Sequence, residues 1–275
     1  MKEKLQTRQM WKWLLVIAVL LAGVLGMSMH AQAATKKYPP ELKAGKTYST
    51  KLTGSKTYKV KWTNNYDSKK GVNYVRVYVD NKNVKTIKNE LDFAEVLLLK
   101  VSKNRNMLGI HMWSDGPHKF GIYEYKGGQF KLLFSADDRK EGHWCGKSYE
   151  GFTLPYNIGN NQFTMDYWYY WWSEDTYMSY TPSITYKVGS DKITKIGSIF
   201  PVEKKTHVLA RKIIAYKTAD SKEVVFTAQK GSKITLLKMA ERKGATYLKV
   251  QNEKGKAGWF KAASEVKYFK SVSAY

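Results

Sequence analysis

Residue types able to do covalent or acid–base chemistry are few in this chain and unevenly placed. Cys145 and His143 stand two apart in GHWCGKSYEG, and a Cys–His pair is the minimum for an activated thiolate nucleophile. Side chains two apart on a strand share a face without being aligned for proton transfer, and no Asp or Asn is placed to orient the histidine. The carboxylates cluster as Asp137, Asp138 and Glu141, and as Glu174 with Asp175. Glycoside hydrolysis needs two carboxyls at a set separation across the sugar bond, which linear spacing does not supply. His111 and His118 flank a polar loop, but their spacing fits no zinc pattern. No catalytic residue, metal ligand or cofactor is therefore assigned, and binding rather than catalysis is expected.

Aromatic chemistry is more abundant. Asp166–Asp175 reads DYWYYWWSED, six consecutive rings followed by acids. Period-2 alternation divides the run. Tyr167, Tyr169 and Trp171 continue the apolar series from Phe163 and Met165 and are expected in the core. Trp168, Tyr170 and Trp172 fall on the other face. Exposed, these three would form a glycan platform, since same-face neighbours on a strand lie roughly 6–7 Å apart. Covered by the Ser135–Tyr156 insertion, they would belong to a doubly buried strand, and burial is the favoured expectation.

The elements that must carry these side chains are strands. From Lys46 to Gly197 the chain alternates apolar and polar residues, is rich in Tyr, Val, Ile and Trp, and contains few prolines. Three segments align without gaps: VYVDNKNVKTI from Val77, YEYKGGQFKLL from Tyr123 and YKVGSDKITKI from Tyr186, with Asn81-Lys82, Gly127-Gly128 and Ser190-Asp191 at the turn. Upstream of each, a polar turn opens another strand. Tyr58, Val60 and Trp62 correspond to Leu108, Ile110 and Met112 and to Phe163, Met165 and Tyr167, all predicted to face the core. Between them lie Lys59, Lys61 and Thr63; Gly109, His111 and Trp113; and Thr164, Asp166 and Trp168, predicted to face outward. With a preceding strand near Tyr48–Leu52, Val96–Ser102 and Phe152–Tyr156, the pattern predicts three four-stranded units. The third is the longest, and its extra residues are assigned to Ser135–Tyr156 or Ser173–Pro182, where loops on a rigid sheet tend to carry sites.

This layout resembles degenerate FG-GAP or VCBS-type repeats, which imply blades of a β-propeller. Thr53–Lys56, Lys103–Asn106 and Gly159–Asn161 lack the aspartates those repeats use for calcium, so calcium is not expected there.

After Pro201 the pattern changes. His207-Val-Leu-Ala, Ile213-Ile-Ala-Tyr216, a polar loop from Lys217 to Glu223, Gln229-Lys-Gly231, Tyr247-Leu-Lys-Val250 and Gly255-Lys-Ala-Gly-Trp-Phe260 follow in order. In that order they resemble a bacterial SH3-like (SH3b) domain, with Tyr247 where Trp is common. Gly231 allows a tight turn, Gly255 and Gly258 let the last hairpin close, and Trp259 supplies apolar area to a small barrel. The resemblance implies attachment to peptidoglycan or other wall polymers. The implied contacts are Tyr216, Tyr247 and Trp259 for rings and Lys217, Lys249 and Lys256 for charge.

The address comes from the other end. Lys2, Lys4, Arg8 and Lys12 precede an apolar stretch and Ala31-Gln32-Ala33, which predicts an export signal cleaved after Ala33 rather than a retained anchor. Residues 34–200 then form the repeat-built β-domain and 205–270 the SH3-like domain. Cleavage lowers the formal net charge from +24 to +21, and Lys205–Tyr275 contributes +11 of that. Such a charge favours polyanions, and export makes nucleic acid an unsuitable partner. One cysteine in an exported chain excludes a disulfide framework and fits a Gram-positive surface. The expectation is an all-β, secreted or wall-associated protein that is not an enzyme, has no transmembrane segment after cleavage, and binds peptidoglycan or an anionic glycopolymer. An envelope hydrolase using the long loops of the β-domain is the alternative.

Overall fold

The computed structural model describes residues 35–115, 118–137, 149–173, 176–243, 245–263 and 268–270; for 149–150, 168–173 and 176–180 it describes the backbone alone. The export signal and its cleavage site lie outside the described residues. Lys37–Tyr275 form one compact unit. Its regular elements among the described residues are all strands, and no helix there is long and apolar enough to cross a membrane.

The three repeated units are three antiparallel meanders. After the short β1 (Glu41–Leu42), the first comprises β2 (Thr47–Thr50), β3 (Tyr58–Asp67), β4 (Val72–Val79) and β5 (Lys82–Asn89) in sequential order. The second comprises β6 (Phe93–Ser102), β7 (Arg105–Trp113), β8 (His118–Lys126) and β9 (Gln129–Asp137), with β1 added at the β6 edge. In the third, β10 (Tyr149–Phe152) and β11 (Tyr156–Gly159) share one side of β12 (Gln162–Ser173). β13 (Thr176–Tyr180) and β14 (Ser183–Val188) share the other, and β15 (Ile193–Lys195) follows β14. The extra length assigned to Ser173–Pro182 is thus largely strand, because β12 runs on past β14 and pairs Tyr169–Ser173 with Thr176–Tyr180.

Turn chemistry explains the hairpins. Gly127 and Gly128 have positive φ, as a two-residue hairpin turn requires. In the first unit the turn is Asp80–Asn81, one residue before the gap-free alignment put it. Both have positive φ, which Asp and Asn adopt more readily than Lys, so Lys82 begins β5. Ser190 and Asp191 sit inside a longer Gly189–Lys192 loop, closed by the Gly189 N–H donating to the Lys192 carbonyl.

The core-facing series is buried as expected at Val60, Trp62, Leu108, Ile110, Met112, Phe163, Met165 and Tyr167, while Tyr58 is half-buried. The intervening series is not uniformly outward, and this corrects the alternation argument. Gly109, His111 and Asp166 are buried. For Gly109 and His111 the reason is that the second sheet is covered on both faces, whereas Asp166, in the third sheet, is enclosed by Thr153, Tyr156 and Ser183. Val96, Leu98, Leu108, Ile110 and Met112 pack with the first sheet around Val60, Val75 and Val77. Leu97, Leu99, Met107, Phe120 and Ile122 pack with the third around Phe163 and Tyr186. A strand buried on both sides loses its polar alternation.

The C-terminal part is one seven-stranded half-barrel. Its strands are β16 (Ile199–Pro201), β17 (Thr206–Val208), β18 (Ile213–Tyr216), β19 (Val224–Ala228), β20 (Lys233–Arg242), β21 (Ala245–Asn252) and β22 (Ala257–Ala262). The pairing order is β16-β20-β21-β22-β18-β19, with β17 also on β20. Leu209, Ile213, Phe226, Leu236, Leu248 and Phe260 fill its inner face, and this core is continuous with that between the second and third sheets.

Candidate functional site

Register brings three of the six residues expected to bind ligand into one line across the half-barrel. Tyr216 on β18 pairs with Trp259 on β22, and Trp259 pairs with Lys249 on β21. Paired residues share a face, and their chain neighbours Ala215, Phe260 and Val250 point into the core, so the line lies on the outer face. The line extends at both ends, to Val224 on β19 and to Lys238 on β20, which in turn abuts Pro201 on β16. Tyr247 belongs to the next line on this face, opposite Lys261. Lys256 stands just after the β21–β22 turn, where its N–H donates to Asn252 Oδ1. Lys217 is engaged by Glu223 at 3.1 Å.

Trp259 is only 7% exposed although it faces outward. Lys249 Nζ lies over its ring, 6.0 Å from the centroid, so the indole is roofed by a lysine rather than presented as an open platform. Gly258 makes the line possible. A Cβ there would meet Ala215 Cβ at 2.9 Å and the Tyr216 carbonyl oxygen at 3.0 Å, so its glycine serves the close approach of β18 to β22 more than closure of the last hairpin.

Lys238 escaped notice because the alternation slips there. A β-bulge between Leu236 and Lys238 inserts Leu237, after which Lys238 rather than Leu237 stands opposite Lys249. The run Leu236-Leu237, two apolar residues in a row inside an alternating strand, is the signal that could have revealed it. A second bulge, between Ala215 and Tyr216, sets Tyr216 opposite Val224.

A different cluster forms where β6, β7 and β8 face β10. His111 Nδ1 is 2.8 Å from Glu95 Oε1 and His111 Nε2 is 3.1 Å from His118 Nδ1. The two imidazoles lie within 10° of parallel, Trp113 stacks on His111 at 4.7 Å, and Phe93 stacks on Trp113 at 5.6 Å. Phe152 meets both histidines edge-on. His111 is buried and Glu95 and His118 are half-buried. The array can carry a shared proton from His118 through His111 to a carboxylate. Sequence spacing singled out both histidines but not Glu95, which becomes their neighbour only because Glu95 pairs with His111 across β6–β7.

Of the carboxylates considered for chemistry, Asp137 is buried at the end of β9 opposite Lys119. Asp138, Glu141, His143, Cys145, Glu174 and Asp175 lie outside the described residues. Among those described, no group of three or more ligating side chains could hold a metal ion. The side chains of Trp168, Tyr170 and Trp172 also lie outside the description. The backbone sets Trp168 opposite Gly151 and gives Tyr170 and Trp172 the β13 partners Ser179 and Tyr177. Asp166, which begins the aromatic run, is a buried hub. Its Oδ1 accepts hydrogen bonds from Tyr156 Oη and Ser183 Oγ, both at 2.6 Å. Burial and then that carboxylate push the Tyr156 hydroxyl well above the ordinary tyrosine range. Here β12 exchanges one set of partner strands for the other, and the buried acceptor pins the crossing.

Fold and faces together define an all-β protein of stacked antiparallel meanders ending in a half-barrel with an aromatic and lysine-bearing outer face. Compared with protein-family models, curated proteins and solved structures, the chain matches none.

Proposed function

We propose that this is a secreted cell-envelope protein that binds wall polymer, peptidoglycan or an anionic glycopolymer, on the outer face of its C-terminal half-barrel. The observation that supports the reading is the single line Tyr216–Trp259–Lys249–Lys238 running across four strands. An extended polymer lying perpendicular to the strands would meet the Tyr216 ring and then the Lys249 and Lys238 ammonium groups, and the +11 charge of Lys205–Tyr275 attracts polyanions over distance. Co-sedimentation of the full chain with purified Gram-positive cell walls tests it. Retention at low salt is expected, with loss on Tyr216→Ala combined with Lys249→Gln. A chain that stays in the supernatant at low salt refutes it.

A second reading, an envelope hydrolase, is favoured by the Glu95–His111–His118 array, which has the connectivity of a proton relay. It predicts clearing of wall material in a zymogram by the full chain and none by the His111→Asn variant. Equal clearing by both excludes the array as its site, and none by either excludes the hydrolase.

A further inference from the structure

We infer that Lys238 and Lys249 form a two-ammonium clamp for one phosphate diester of a linear polyol-phosphate polymer, with Trp259 beside the clamp rather than serving as a sugar platform. The inference rests on the wall-polymer reading and names the ligand chemistry of the same face. Lys238 and Lys249 are direct cross-strand partners on the outer face. Like charges directly opposite each other on a sheet oppose pairing, and neither lysine has an ion-pair partner among the described residues. The acids nearby are committed elsewhere: Asp220 to Arg242, Glu223 to Lys217 and Glu241 to Lys195. A third group of opposite sign placed between the two ammoniums removes the repulsion.

Geometry supports an anion of phosphate size. Directly opposite Cβ atoms on antiparallel strands lie about 4.5–5.5 Å apart, so two flexible four-carbon stems can bring their ammoniums to different oxygens of one phosphate. The opposition belongs to the register that runs back unbroken from the β20–β21 turn, Arg242 with Ala245 through Lys238 with Lys249, and the bulge at Leu237 lies immediately beyond it. The bulge at Tyr216 acts on the same line from the other side, and bulges characteristically re-aim side chains at binding sites. Trp259, at 7% exposure under Lys249 Nζ, offers too little open ring for a neutral sugar to stack on. It is well placed to report movement of that lysine.

The test uses the full chain and synthetic poly(glycerol phosphate), followed by tryptophan emission at low salt and by the dependence of affinity on salt. Lys238→Gln and Lys249→Gln should each weaken binding about tenfold and lower the slope of log affinity against log salt by about one. Lys249→Arg should retain binding, and Lys230→Gln, the same charge change at an exposed turn, should behave as wild type. An equal loss in Lys230→Gln would reveal diffuse attraction and overturn the clamp. So would equal affinity for single-stranded DNA at matched phosphate concentration. Binding to phosphate-stripped peptidoglycan that is indifferent to both lysines would overturn the clamp and leave the wall-polymer reading standing. Binding to neither material would overturn both.

Discussion

Gly258→Ala isolates the contact that aligns the outer face. The added Cβ would lie 2.9 Å from Ala215 Cβ, 3.0 Å from the Tyr216 carbonyl oxygen and 3.2 Å from the Ala215 carbonyl carbon. Two of these three are backbone atoms, which cannot swing aside as a side chain does. Restoring ordinary contact requires β18 and β22 to part by about half an ångström, at the only register pair joining them, Tyr216 with Trp259. Overpacking of this kind costs about 1–3 kcal/mol. For a unit of this size each kcal/mol moves the melting temperature by about 2–4 °C, so a drop of roughly 3–10 °C is expected. Thermal unfolding followed by circular dichroism measures it. Gly255→Ala provides the contrast: its cost comes from a φ of 77° rather than a clash, its nearest neighbour being Gln251 Nε2 at 3.9 Å. It should therefore leave the Trp259 emission of the folded state unchanged, whereas Gly258→Ala should shift it. A Gly258→Ala protein that melts with wild type and keeps the wild-type emission would refute the close-approach argument.

Asp166→Ala removes the acceptor shared by the Tyr156 and Ser183 hydroxyls and should cost about 1–3 kcal/mol. Asp166→Asn, which keeps an acceptor oxygen, should cost much less in urea unfolding, and equal losses would contradict the hub. Arg105→Gln removes a cation held by Glu124 Oε1 at 2.7 Å and donating to the Gly189 carbonyl at 2.7 Å. It leaves Glu124 buried without its charge partner, so about 3 kcal/mol is expected from denaturant midpoints. A loss below about 0.5 kcal/mol would show that Arg105, through Glu124 and the Gly189 carbonyl, does not tie the second sheet to the third. His207 is buried against Phe269, and burial, reinforced by the nearby Lys205 charge, holds its pKa below the ordinary value of 6.5. The unfolded chain therefore takes up this proton first as pH falls. The stability it contributes is fully present above about pH 6.5 and is lost as pH drops through the lower folded value. His207→Leu should flatten that part of the stability–pH curve, and an unchanged curve would sink the assignment.

What the sequence determined alone was everything local. Alternation and turn residues located the strands of three meanders, because a side-chain period of two and a positive-φ requirement are properties of a few neighbouring residues. The order of strands after Pro201 was legible for the same reason. Burial on the second face of a sheet was not: Gly109 and His111 occupy positions that alternation assigns to solvent, and only the packing of a third sheet against the second encloses them, while Asp166 is enclosed by Thr153, Tyr156 and Ser183 of its own sheet. Glu95 joins His111 and His118 through strand pairing, and Lys238 meets Lys249 through the register of the β20–β21 hairpin. Both are consequences of register, and register is settled by contacts between residues distant along the chain.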